Sequence, residues 1–284
     1  MEKIALIADS AADLNYDIIK EYNVNVLPLK IIYKNKEYLD GITITADEVY
    51  EKLEEEIPST SLPSVQEVDD LFTKLEENGY THIIAIQLSS NLSGTYNTVK
   101  LVSENHPNIT TTVFDSKSLT LGTGALVIGC GEMIKNGRSY NEIVSQLPEM
   151  RDRATVYYVV DTLKYLIKGG RIGKVSGTIG SMLNIKPIIS INKEGVYYTY
   201  DKIRGKKQAL KRLLSIAEES LKTSKCRIWI MHGGSEEEGN LLFEKFKSLS
   251  NITSLNFGCI SPALGVHTGK GLIGLIIVKE PFYA

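Results

Sequence analysis

The stretch LSSNLSGTYNT, residues 88–98, sets Ser89, Ser90, Asn91, Ser93 and Thr95 around a single glycine, Gly94, where an apolar run gives way to a helical pattern. Short hydroxyl and amide side chains at a helix start sit beside unpaired backbone N–H groups and the positive end of the helix dipole. Gly94 lets a ligand approach the backbone closely. That combination suits a carboxylate or a phosphate. The same residue types also serve as ordinary helix caps, and the stretch alone does not separate the two roles. A second hydroxyl pair, Thr60 and Ser61, lies in PSTSLPS, residues 58–64, between Pro58 and Pro63. Prolines restrict such a loop and reduce the entropy lost on binding, although a Pro-bounded connection needs no ligand. In DSAAD, residues 9–13, Asp9 can orient a loop, bind a cation or cap the next turn.

Positive charge comes from later in the chain. LIKGGRIGKVSG, residues 166–177, puts Arg171 and Lys174 in a glycine-rich turn, and Arg204, Lys206 and Lys207 open a helical pattern. Cations at a helix start oppose the dipole, so they call for a bound anion, a partner surface or simple solvation. Of the four histidines, His82 reads as structural and His106, beside Pro107, as exposed; His232 and His267 end apolar segments among glycines. His267, in VHTGKG, is the better candidate for touching an anion. An enzymatic reading would pair Ser93 or Ser61 with His267 as nucleophile and base, with Asp161 or Asp201 as the orienting acid. The chain has no G-x-S-x-G elbow, no P-loop, no dinucleotide fingerprint after its first strand, and no H-E-x-x-H or paired C-x-x-C. No catalytic residue and no metal ligand is therefore assigned.

The elements that must position these residues read as alternating strands and helices. IALIAD (4–9) is a near-continuous apolar run, the pattern of a parallel sheet covered on both faces, and THIIAIQL (81–88), TTVFD (111–115) and ATVYYVVD (154–161) read as further strands. Pro28 argues for an edge or a bend within VNVLPLKII. Thr45 with Glu48, Ser64 with Glu67 and Ser139 with Glu142 are candidate capping boxes. Residues 186–202 read as a hairpin turning at Glu194-Gly195. The expected fold is α/β and two-domain: residues 1–150 as a doubly wound, mostly parallel sheet and 151–284 as a second α/β domain. Three widely spaced cysteines suggest reduced thiols, and a formal charge of −2 gives no reason to expect nucleic acid or an anionic membrane. MEKIALIAD is a strand rather than a signal peptide, and LIGLIIV is too short to span a bilayer, so a cytoplasmic protein is expected.

Taken in order, IADSAADL, PSTSLPS, LSSNLSGTYNT, FDSKSLTLG, DTLKYLIKGGRIGK, HGG and HTGKG resemble the DegV family of fatty-acid-binding proteins over almost the whole chain. The resemblance implies two α/β domains with a long-chain fatty acid between them and its tail in a buried tunnel. It places the carboxylate on Thr60 or Ser61, Ser93 and His267, with Ser90, Gly94 and Thr95 as further candidates from the same loop. It matches Arg171 and Arg204 to arginines of members that work with a kinase, in head-group or docking roles. It implies a carrier, with no cofactor beyond the bound fatty acid, that presents the carboxylate to a separate ATP-dependent fatty acid kinase. The acyl phosphate then feeds phospholipid synthesis, and transient membrane contact is compatible with that role. The alternative is a Ser/His-dependent acyl hydrolase or phosphotransferase. Two positions depart from the family pattern: Leu62 stands where glutamine is common, and Lys270 where the turn commonly reads G-P-G.

Overall fold

The computed structural model describes residues 2–178 and 185–283. The first half builds a four-stranded parallel sheet in the order Val24–Leu27, Ile4–Asp9, His82–Gln87, Thr110–Asp115. Its two central strands are buried on both faces, which is why their sequences lack alternation. Pro28 breaks the next apolar run. Val24–Leu27 ends as the edge of the parallel sheet, and Lys30–Tyr33 starts a separate three-stranded sheet with Lys36–Leu39 and Ser59–Ser61. The Thr60–Ser61 segment is therefore a short strand, with Thr60 opposite Ile31. The second half forms a mixed six-stranded sheet in the order Tyr197–Arg204, Ile185–Ile191, Ala154–Val159, Leu272–Lys279, Cys226–Gly233, Ile252–Cys259.

All three capping boxes form, at the starts of Ala46–Lys52, Val65–Glu77 and Tyr140–Arg153. The last of these helices passes through Pro148 and runs directly into the strand at Ala154. Helix Thr120–Lys135 is buried nearly all round and packs against strands of both large sheets. Its small residues permit that closeness: a Cβ at Gly131 would strike the Tyr22 ring. Among the described residues no helix is long and apolar enough to cross a membrane. Cys130 and Cys226 are buried, whereas Cys259 is exposed.

His106 is not the exposed residue that its neighbour Pro107 suggested; it is only 8% exposed. Its Nε2 lies 3.1 Å from Asp69 and its Nδ1 3.2 Å from Glu76, and the ring leans on Phe72. Both carboxylates belong to helix Val65–Glu77, while His106 follows helix Thr95–Ser103, so the ring ties the end of the second helix to the side of the first. Replacing His106 with Ala is expected to lower the unfolding free energy by about 1–3 kcal/mol. An unchanged urea midpoint would show that the clamp contributes nothing.

Candidate functional site

His267 lies on helix Pro262–Thr268, and its Nε2 meets Thr60 Oγ1 at 2.7 Å. Its Nδ1 is enclosed without a hydrogen-bond partner, and a Cβ on Gly169 would collide with it. An orphaned acceptor costs less than an orphaned N–H, so the ring carries its proton on Nε2 and donates to Thr60. The Thr60 O–H is then free to donate to an incoming oxyanion. Burial, followed by the nearby Arg171 charge, pushes the His267 pKa down to about 4. His267 is neutral at pH 7, and Arg171 supplies the positive charge. The guanidinium donates from Nε to the Leu92 carbonyl at 3.3 Å and from Nη1 to the Gly169 carbonyl at 2.5 Å, which leaves further N–H donors for a ligand.

Ser93 completes the group. Its Oγ is 2.9 Å from Thr95 Oγ1, and helix Thr95–Ser103 starts at Gly94 without a side-chain cap. Thr60, Ser61, Ser93, Gly94, Arg171 and His267 line one cavity of about 140 Å³, whose apolar walls include Leu29, Leu62, Leu88, Leu119 and Leu264. Leu62, where the family commonly has glutamine, packs on Gly94: a Cβ added there would lie 3.2 Å from its Cδ2.

Other candidates go elsewhere. Ser90 Oγ donates to Asp115 at 2.6 Å, and Ser90 is absent from the cavity lining. Ser89 Oγ donates to the Gly195 carbonyl and Asn91 Nδ2 to that of Glu194, so these two hold the hairpin tip against the loop. Thr95 is fully buried and supports Ser93 from behind. Arg204 is exposed at a strand end, outside the cavity. Lys206 is neutralised by Asp161 at 2.9 Å and Glu238 at 2.6 Å, which removes it as a free docking cation. Asp201 pairs with Arg212, so neither carboxylate proposed to orient His267 does so. Lys270 lines a different space. Sequence reasoning missed Tyr197 and the leucine walls, because strand and core residues carry no mark of a cavity.

That different space is an open cleft of about 1370 Å³ between the parallel sheet's outer elements and the Cys226–Gly233 and Ile252–Cys259 strands. It adjoins the cavity through one layer of chain: Leu29, Leu119 and Ala263 face the cavity, while Pro28, Leu121 and Pro262 face the cleft. Among the described residues no group of three or more His, Cys, Asp or Glu is placed to hold a metal ion.

The His267 shift has a consequence for stability. A histidine whose folded pKa is about 4, against 6.5 when unfolded, binds fewer protons in the folded state between those values. Its contribution is complete above pH 6.5 and is lost as pH falls towards 4, about 3 kcal/mol in all. Asp9 and Asp13 act in the opposite sense: burial raises both to about 7, so they lower stability as pH rises from about 4. The difference between wild type and His267→Gln in denaturation midpoints at pH 4.5 and 7.5 isolates the histidine. The expectation is that wild type gains more stability across that interval than the variant does.

Residues 3–280 match the family described as "Uncharacterised protein, DegV family". A DegV domain-containing protein of Clostridium acetobutylicum is 57% identical over 280 residues, covering 99% of this chain and 100% of that protein. A fatty-acid-binding DegV family protein from Streptococcus agalactiae superposes with a TM-score of 0.91 at 32% identity, covering 99% of this chain and 100% of that one. A DegV family protein from Thermus thermophilus, solved as a fatty acid binder, gives a TM-score of 0.92 at 27% identity over 98% of this chain and 99% of that one. With the match running almost end to end, this chain belongs to the DegV family.

Proposed function

We propose that this chain binds a long-chain fatty acid and presents its carboxylate to a separate ATP-dependent fatty acid kinase. The observation that carries the binding half is the convergence of Thr60, Ser93, Arg171 and a neutral His267 on one leucine-lined cavity. A carboxylate there gains charge-assisted hydrogen bonds from hydroxyl and guanidinium donors. Fatty acid binding by homologues of the same fold supports the assignment. The cavity alone is about the size that holds one benzene ring, too small for a long tail. The remaining methylenes pass between Leu29, Leu119 and Ala263 into the adjoining cleft.

The acyl hydrolase reading lacks geometry. His267 contacts Thr60 rather than Ser61 or Ser93, and its Nδ1 has no orienting acceptor. The kinase half rests on the family resemblance together with the exposed Arg204. Arg204→Glu is expected to slow acyl phosphate formation with added kinase while leaving fatty acid affinity unchanged; equal loss of both would remove its docking role. The decisive experiment for binding is native mass spectrometry of the purified chain, followed by extraction and identification of the lipid. A stoichiometric adduct of fatty acid mass, reduced in Ser93→Ala, is expected. A protein that neither carries nor takes up fatty acid would overturn the proposal.

A further inference from the structure

Each residue of the head-group site stands on a segment remote from the others in sequence: His267 on a seven-residue helix, Thr60 on a three-residue strand, Ser93 on a loop. None of these pieces is long enough to hold its own position. Three buried carboxylates from the first forty residues bond to the segments that carry them, directly or through Ser10.

Asp13 accepts from the Ser261 N–H at 2.9 Å, and Asp40 accepts from the Ala263 N–H at 2.8 Å. These donors lie at the start of helix Pro262–Thr268, where Ser261 supplies no side-chain cap. Two acidic side chains from the first half of the chain thus cap the helix that carries His267. The second oxygen of Asp40 takes the Ser10 hydroxyl at 2.6 Å, and Ser10 Oγ in turn accepts the Leu29 N–H at 3.0 Å. Leu29 leads into Lys30–Tyr33, whose partner strand bears Thr60. Asp9 accepts the Leu88 N–H at 2.7 Å, at the point where the central strand turns into the Ser93 loop. Asp13 also takes the Thr120 hydroxyl at 2.6 Å, and both residues have positive φ, 52° and 47°. Left-handed backbone at non-glycine residues persists only where surrounding bonds determine it. Asp9, Asp13 and Asp40 stay outside the head-group cavity and line the adjoining cleft.

We propose that Asp9, Asp13 and Asp40 are positioning residues that set Thr60, Ser93 and His267 at carboxylate-binding separation. The inference rests on the fatty acid reading of the site, and it assigns a function to the DSAAD segment. A cluster needed only for folding would affect every ligand alike. A positioning cluster lowers the affinity for the acid relative to a ligand that has the same tail and no carboxylate.

The test compares palmitic acid with 1-hexadecanol, which shares the tail and lacks the carboxylate. In Asp40→Ala the affinity for the acid is expected to fall about tenfold or more relative to the alcohol, consistent with loss of one well-aligned charge-assisted bond. Asp40→Asn keeps an acceptor for the Ala263 N–H and is expected to restore the ratio to within about threefold. A second readout needs no ligand: the ¹⁵N resonance of His267 Nε2 should shift in Asp40→Ala and return in Asp40→Asn. If Asp40→Ala does not fold, Asp13→Gly carries the same measurements, since glycine removes the acceptor for the Ser261 N–H and tolerates the left-handed backbone. An unchanged acid-to-alcohol ratio and an unmoved His267 resonance in a folded variant would overturn the inference. A wild-type chain that binds neither ligand would instead remove the fatty acid reading, and the His267 resonance alone would then decide the positioning role.

Discussion

Replacing Arg171 with Met should weaken palmitic acid binding by about thirtyfold or more while changing 1-hexadecanol binding by no more than about threefold. Among the described residues the guanidinium is the only cationic side chain in the cavity lining, because His267 is held neutral. Leaving a desolvated carboxylate without its charged partner costs about 2–5 kcal/mol, or roughly 30- to 5000-fold in affinity. The methionine stem fills similar space, so the tail contacts remain. The variant also loses the bonds to the Leu92 and Gly169 carbonyls, and the alcohol control separates that loss from the charge effect. Isothermal titration with both ligands reads the two numbers directly. Parallel losses for acid and alcohol would mean that Arg171 braces the turn and does not meet the head group.

The regular elements were legible because their signals are local. A capping box needs only a Ser or Thr and a Glu three residues apart, and Thr45, Ser64 and Ser139 all formed theirs. The apolar runs at 4–9 and 81–88 announced central parallel strands for the same reason. The loop 88–95 was legible only as a group. Ser89 is committed to Gly195, 106 residues away, and Ser90 to Asp115, so both are removed from ligand duty by partners that no local pattern reveals. Ser93 is spared because its neighbour Thr95 is buried behind it. His106 misled for a similar reason: its two carboxylates sit on a helix some thirty to forty residues earlier. The family resemblance supplied what pattern reading could not, namely that Thr60, Ser93 and His267 belong together. Neither pattern nor resemblance marked the leucine wall, since a tunnel lining and a solid core have the same composition.

That wall carries the largest expected effect. Each methylene removed from water contributes about 0.8 kcal/mol, so eight more carbons, from octanoic to hexadecanoic acid, are worth about 6 kcal/mol before ordering costs. The cavity has room for only the first few carbons, and on the proposed route the gain beyond them depends on passage past Ala263. Ala263 is 2% exposed and stands one residue from Pro262, which already faces the cleft. Phenylalanine at position 263 would close that passage from a site whose backbone N–H stays bonded to Asp40. The expected result is a loss of about a thousandfold or more for hexadecanoic acid, with butanoic acid affinity kept within about threefold. Overpacking should lower stability by about 1–3 kcal/mol, which a melting curve measures separately. The plot of log affinity against chain length should therefore rise steadily in wild type and flatten after the first carbons in Ala263→Phe. A uniform drop at every length would mean that the substitution disturbs the Thr60–His267 pair. An unbroken slope would mean that the tail leaves the head-group cavity by another route.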